Sequence, residues 1–144
     1  MLEARTDVVG SLLRPPELLA AQERLARGEL SPAAFKRIED DAVDDAVALQ
    51  EEAGLDVVTD GEMRRLSFQS QFAAAVDGFG DWDLDAFLWG NWQSDELGEL
   101  RVERPPLAVV GKLRRRRSPA AEEFAYMRGR TDRVVKLSLP SPSL

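Results

Sequence analysis

The stretch "GLDVVTDGEMRR", residues 54–65, decides how this chain folds. Gly54 breaks what precedes it, and Leu55, Val57 and Val58 supply a short apolar, β-branched run. The chain then meets Asp60, Gly61, Glu62, Arg64 and Arg65 within a few residues. A glycine stop, a buried run and a dense polar cluster predict a strand that opens into a working loop.

Upstream of that strand the spacing predicts a helix. Ser31 is a good N-cap and Pro32 suits the first helical position. Phe35, Ile38, Ala42, Ala46, Leu49 and Ala53 then recur at helical spacing up to Gly54. The opposite face carries Glu39, Asp40, Asp44, Asp45, Glu51 and Glu52, which reads as a solvated surface. Earlier still, "TDVVGS" (6–11) reads as a strand closed by Gly10, and Pro15 and Pro16 open a helix that ends at Gly28. Strand, helical crossover and strand in that order predict a parallel βαβ arrangement.

Downstream, residues 78–117 read as an inserted excursion of short antiparallel strands within one domain spanning 1–144. Trp82, Trp89 and Trp92 are expected to fill its small core. "GKLRRRR", with Lys112 and Arg114 to Arg117, has no interleaved aromatics and reads as a solvated turn. "SPAAEEFAYMRGR" repeats the Ser-Pro helix start, with Phe124 and Met127 on one side, and "DRVVKLSLPSPSL" supplies a third strand. Parallel sheets place their working residues beyond the carboxyl ends of the strands. Ser11, Asp60 to Glu62 and Ser138 to Ser141 are therefore expected on one face.

Composition narrows the chemistry. The chain has 144 residues, 44% of them hydrophobic, and no cysteine or histidine. It has no thiolate, no imidazole base and no sulfur ligand, which excludes most self-contained zinc sites and Ser/His/Asp triads. A formal charge of −7 argues against nonspecific nucleic-acid binding. No apolar run approaches the roughly 18 residues needed to span a membrane, and no basic leader stands at the start, so the expected address is the cytoplasm.

Three motifs together carry a resemblance. "VVGSLLRPPELLAA", "ALQEEAGLDVVTDGEMRR" and "VVKLSLPSPSL", in that order, resemble the start of the catalytic domain of the cobalamin-independent methionine synthase family. The resemblance implies an α/β fold, the first three βα units of an incomplete (β/α)8 barrel, with the inserted hairpin. It implies methyl transfer to a thiol such as homocysteine, activated by zinc. It also implies that Ser11, with the backbone around Gly10, holds the amino-acid part of that thiol and that Glu62 pairs with its ammonium. On the residues alone Glu62 reads first as a loop carboxylate paired with Arg64 or Arg65, a preference the resemblance reverses; Ser11 reads as a turn or cap serine as readily as a binding residue, and Asp60 as a turn former ranked below Glu62.

Where the resemblance supplies zinc ligands from His, Cys and Glu on later strands, this sequence offers no His or Cys. Phe68-Gln69 stands where shorter relatives often read Trp-His. The expectation is a fragment or split barrel that binds no metal by itself and is inactive alone. The alternative is a noncatalytic module that self-associates or completes its barrel with a second polypeptide.

Overall fold

The computed structural model describes residues 6–65, 73–80, 92–94, 98–100 and 108–139, with only the backbone at 92–94 and 98–100. Two compact units emerge, one from Met1–Gln71 with Ser118–Leu144 and one from Phe72–Arg117.

In the first unit, α1 spans Pro16–Ala26 and α2 spans Pro32–Glu52. Each starts on a proline, whose fixed φ suits a first turn that needs no N–H donor. Ser31 caps α2, its hydroxyl accepting the Ala34 N–H at 3.2 Å. Strand β1 (Val57–Val58) follows, and after the second unit come α3 (Pro119–Arg128) and β6 (Val134–Val135). β1 and β6 pair in parallel, Val57 with Val134 and Val58 with Val135. The flanking bonds run from Val134 N–H to Asp56 O (3.1 Å) and from Lys136 N–H to Val58 O (2.9 Å). The fold is therefore α/β, but its parallel pair joins β1 to β6; the βαβ unit expected between 6–11 and 57–58 does not form, because 6–11 is not a strand.

The core unites these elements. Leu18 of α1 meets Ala42, Val43, Ala46 and Val47 of α2, Val58 of β1, Met63 and Met127 of α3. The buried stripe of α2 lies partly one residue on from the expected one, because Val43 and Val47 join Ala42 and Ala46 while Leu49 stays 60% exposed. Ala53 is exposed too. Met127 is fully buried, whereas Phe124, expected beside it, is largely exposed.

The acidic face of α2 is also not simply solvated. Asp40 pairs with Arg64 at 2.5 Å, Asp44 accepts the Tyr126 hydroxyl at 2.9 Å, and Glu51 accepts the Thr131 hydroxyl. Part of that face therefore meets α3 and its following loop, and part the loop after β1, which a helical wheel of α2 alone does not reveal. The Tyr126 ring is stacked by the guanidinium groups of Arg64 and Arg130, 4.4 and 4.7 Å from its centroid.

Among the described residues, the segment at 6–11, expected as a strand closed by Gly10, forms no strand. Its tie to β6 is a side chain: Lys136 Nζ donates to Asp7 Oδ2 (2.6 Å) and Val8 O (2.5 Å).

The second unit holds two antiparallel pairs. β2 (Val76–Gly80) pairs with β5 (Ala108–Arg115), and β3 (Trp92–Ser94) pairs with β4 (Gly98–Leu100). The β2–β5 register shifts between Asp77 and Phe79. Gly78 sits at that shift with φ 99°, and a Cβ there would lie 2.8 Å from Lys112 O, so the bulge requires glycine. Lys112 to Arg115, read as part of a turn, instead continue β5, with Arg114 opposite Asp77. Trp82 and Trp89, and the side chain of Trp92, lie outside the described residues, as do Phe68 and Gln69.

Candidate functional site

The polar run after β1 folds into a tight turn that its own side chains hold. Asp60 Oδ1 accepts the Glu62 N–H at 3.0 Å, and the Thr59 hydroxyl accepts the Gly61 N–H at 3.1 Å. Such short side-chain-to-backbone bonds two residues apart are what Asp and Thr offer a turn. Gly61 and Glu62 both take positive φ, 65° and 57°. For glutamate this left-handed conformation costs on the order of 1 kcal/mol, and it persists because its surroundings fix it. Space around Gly61 is tight as well, since an added Cβ would lie 3.1–3.3 Å from Met63 Cε, Leu12 Cδ1 and Ala46 Cβ, whose side chains would have to give way.

The N-terminal segment docks on this turn. Gly10 turns the chain at φ 81°, and the Leu12 N–H donates to Gly61 O at 3.1 Å. That contact delivers Ser11, whose hydroxyl donates to Glu62 Oε2 at 2.7 Å. Arg14 Nη2 adds bonds to the Glu62 and Arg65 carbonyls at 3.2 and 2.5 Å. Ser11 and Glu62, 51 residues apart, are thus brought together, and Gly10 and Asp60 flank them.

Beneath the turn lies a charged cluster in a nearly dry environment. Glu62 is 6% exposed, and Asp60, Arg65 and Glu123 are each 3% exposed. Arg65 Nη2 donates to Glu123 Oε2 at 3.0 Å and to Ser138 O at 2.8 Å, while its Nη1 stands 3.8 Å from Glu62 Oε1. Ser138 therefore joins the cluster through its carbonyl; Ser141 lies outside the described residues. Burial pushes the Asp60 carboxyl up, aided by the negative charge of Glu123 and opposed by the Glu62 N–H and the charges of Arg65 and Arg64. Burial tends to lower the Arg65 guanidinium, but the bond and charge of Glu123 and the charges of Asp60 and Glu62 outweigh it and raise it.

Gln50, Arg14 and Glu123 did not stand out in the sequence. Gln50, buried on α2, accepts the Thr59 N–H at 2.9 Å and donates to Thr59 O at 2.8 Å and Ala46 O at 2.7 Å. It does for the end of β1 what a neighbouring strand would do. The available signal was a glutamine placed in helical step with Ala46 and Val47.

The zinc implied by the resemblance finds no donor set here. The chain has no His or Cys, and among the described residues no group of three His, Cys, Asp or Glu side chains could hold a metal ion. The buried carboxylates are already engaged, Glu62 by Ser11 and Glu123 by Arg65.

The arrangement is that of an α/β protein with its polar site beyond the carboxyl end of a parallel strand. The chain belongs to the cobalamin-independent synthase catalytic domain family, whose sequence profile matches residues 4–143. It is 30% identical over 141 residues to the uncharacterized protein YxjH of Bacillus subtilis, covering 97% of this chain and 36% of that protein. It is 31% identical over 137 residues to a 5-methyltetrahydropteroyltriglutamate–homocysteine methyltransferase of Thermosynechococcus vestitus, covering 95% of this chain and 17% of that protein. Among solved structures, a Listeria monocytogenes protein named as a vitamin-B12 independent methionine synthase shares the fold. Its TM-score is 0.67 at 24% identity, over 98% of this chain and 38% of that one. A B12-independent methionine synthase from Shewanella, solved in complex with selenomethionine, matches at TM-score 0.57 and 25% identity, over 79% of this chain and 31% of that one. The chain thus spans little more than a third of the length of these relatives, or less. No helix among the described residues is long and apolar enough to cross a membrane.

Proposed function

We propose that this chain carries the amino-acid-binding part of a methionine-synthase-like methyltransferase site, as the N-terminal βα units of an incomplete (β/α)8 barrel, and that it is inactive alone. The observation that carries this reading is the 2.7 Å bond between Ser11 Oγ and Glu62 Oε2 in a nearly dry cluster. A carboxylate fixed by a strained turn accepts charge-assisted bonds from an ammonium, and the Gly10-Ser11 turn lets backbone donors approach the substrate carboxylate. The amino acid is a thiol such as homocysteine, in keeping with the homocysteine methyltransferase named among the relatives and the selenomethionine bound by the Shewanella protein. Asp60 acts on the site by holding the Glu62 N–H. The methyl donor and the metal that would activate the thiol are supplied outside this chain, since its own side chains fit no zinc.

Calorimetric titration with L-selenomethionine tests the reading. Glu62→Gln is expected to weaken binding about tenfold or more, because one charge-assisted contact is lost. Glu52→Gln, on the exposed end of α2, is expected to leave binding unchanged. Equal affinity of the Glu62 variant and the native chain overturns the site, and methyl transfer to homocysteine by the purified chain with zinc overturns its inactivity. One feature supports completion of the barrel by a second copy or another polypeptide: Val134, on the β1–β6 ladder, is 63% exposed, whereas parallel strands are normally covered on both faces. Gel filtration is expected to show self-association or capture of the completing strands, and a monomer with no affinity for either overturns that part.

A further inference from the structure

The geometry points to Glu123 as a positioning residue that keeps Arg65 from quenching Glu62, so that the Glu62 carboxylate stays available to a ligand ammonium. This rests on the binding role proposed above for Glu62. Arg65 is the nearest cation to that carboxylate, yet its Nη1 stops 3.8 Å short of Glu62 Oε1 and, although buried, has no hydrogen-bond partner. The guanidinium is held back from its other side. Nη2 donates both to Glu123 Oε2 at 3.0 Å and to Ser138 O at 2.8 Å, which aims the fork toward α3 and the end of β6.

The charges explain why such restraint matters. In a nearly dry environment a bare guanidinium seeks a carboxylate, and two are within reach, Glu62 and Glu123. With Glu123 ionised, Arg65 is compensated without closing on Glu62. Ser11 supplies Glu62 with a neutral donor on Oε2, which orients the carboxylate without cancelling its charge. Asp60 turns Oδ1 to the Glu62 N–H and leaves Oδ2 unpartnered, so it does not draw Arg65 away by a hydrogen bond. Arg14 reaches only the Glu62 and Arg65 carbonyls. A site built to accept an ammonium needs a carboxylate oxygen that no protein cation already holds by a hydrogen bond, and α3 supplies the side chain that leaves Glu62 Oε1 so.

Two variants test this: Glu123→Gln, and Glu123→Gln combined with Arg65→Met. Glu123→Gln keeps a carbonyl for Arg65 Nη2 but removes the compensating charge. It is expected to weaken L-selenomethionine binding about tenfold and to leave the weaker binding of the des-amino analogue unchanged, because only the ammonium contact is affected. Adding Arg65→Met to Glu123→Gln removes the quenching cation and is expected to restore binding to within about threefold of the native chain. A purely structural role predicts the reverse: a double variant no better than the single one, with both ligands weakened alike, and that result overturns the inference. A ligand-free readout separates it from the function proposed above. In a crystal structure of the Glu123→Gln chain, Arg65 Nη1 is expected to close on Glu62 Oε1 to about 2.9 Å. Closure in a protein that does not bind selenomethionine keeps the restraint and overturns the amino-acid site; an unchanged separation overturns the restraint.

Discussion

Two arginine-rich stretches of one chain meet opposite fates. Arg64 and Arg65 follow a short parallel strand and are drawn in, Arg65 to 3% exposure against Glu123 and Ser138 O, Arg64 between Asp40 of α2 and the Tyr126 ring. Arg114 and Arg115 end an antiparallel strand, Arg116 and Arg117 come just after it, and all four remain exposed, with Arg116 pairing at the surface with Asp77 at 3.0 Å. The difference lies in what faces each stretch. The first is crossed by two helices that present carboxylates; the second belongs to a hairpin-like pair, in which β5 is exposed along nearly its whole length. A run of like charge is thus neither a binding patch nor a core element until its neighbours are known.

The contrast can be broken by substitution. Arg65→Met leaves Glu123 as a buried charge without its partner and is expected to cost about 3–5 kcal/mol in urea unfolding. Arg114→Met, in the exposed run, is expected to stay within about 0.5 kcal/mol of the native chain. Equal losses would remove the distinction between the two stretches.

Gln50→Leu probes how the first stretch is held in place. Removing the amide leaves the Thr59 N–H and C=O unpaired in a buried setting and is expected to cost about 2–3 kcal/mol. Gly61→Ala adds a Cβ where Met63, Leu12 and Ala46 already crowd and where φ is positive, for an expected loss of about 1–3 kcal/mol.

Asp60→Asn sharpens the comparison through pH. The folded-state pKa of Asp60 is raised, so its contribution to stability is fully present below the unfolded value of about 4 and is lost as pH rises through the folded value. The asparagine variant, which keeps an oxygen for the Glu62 N–H, is therefore expected to match the native chain in acid and to exceed it at neutral pH. Parallel melting temperatures at both pH values would contradict the sign. Arg116→Ala closes the series: its exposed pair with Asp77 is expected to contribute less than about 1 kcal/mol.

Much of the first unit was legible because its signals are local. Ser31-Pro32 and Gly54 bracket α2 to within two residues, and the β-branched "VV" pairs at 57–58 and 134–135 mark the strands that pair in parallel. Ser11, Asp60 and Glu62 could be singled out because a strand-end motif and a resemblance agreed on them. The stripe of α2 was partly misjudged at Leu49 and Ala53, because a regular period of three and four does not say where the partner helix ends. The acidic face was misread for a related reason: its carboxylates meet Arg64, Tyr126 and Thr131 from segments far along the chain.

What the sequence alone determined is the order of elements from α1 onward, the turn chemistry of Thr59-Asp60-Gly61 and the absence of His and Cys donors, since each depends on residue type and near neighbours. What only the tertiary structure decided is which charges are buried together. Glu62 beside Arg65 could be paired from near neighbours, but Glu123 carries no local mark of its association with them, because a buried ion pair depends on how separate elements pack, and α3 brings Glu123 to Arg65 across 58 residues of chain.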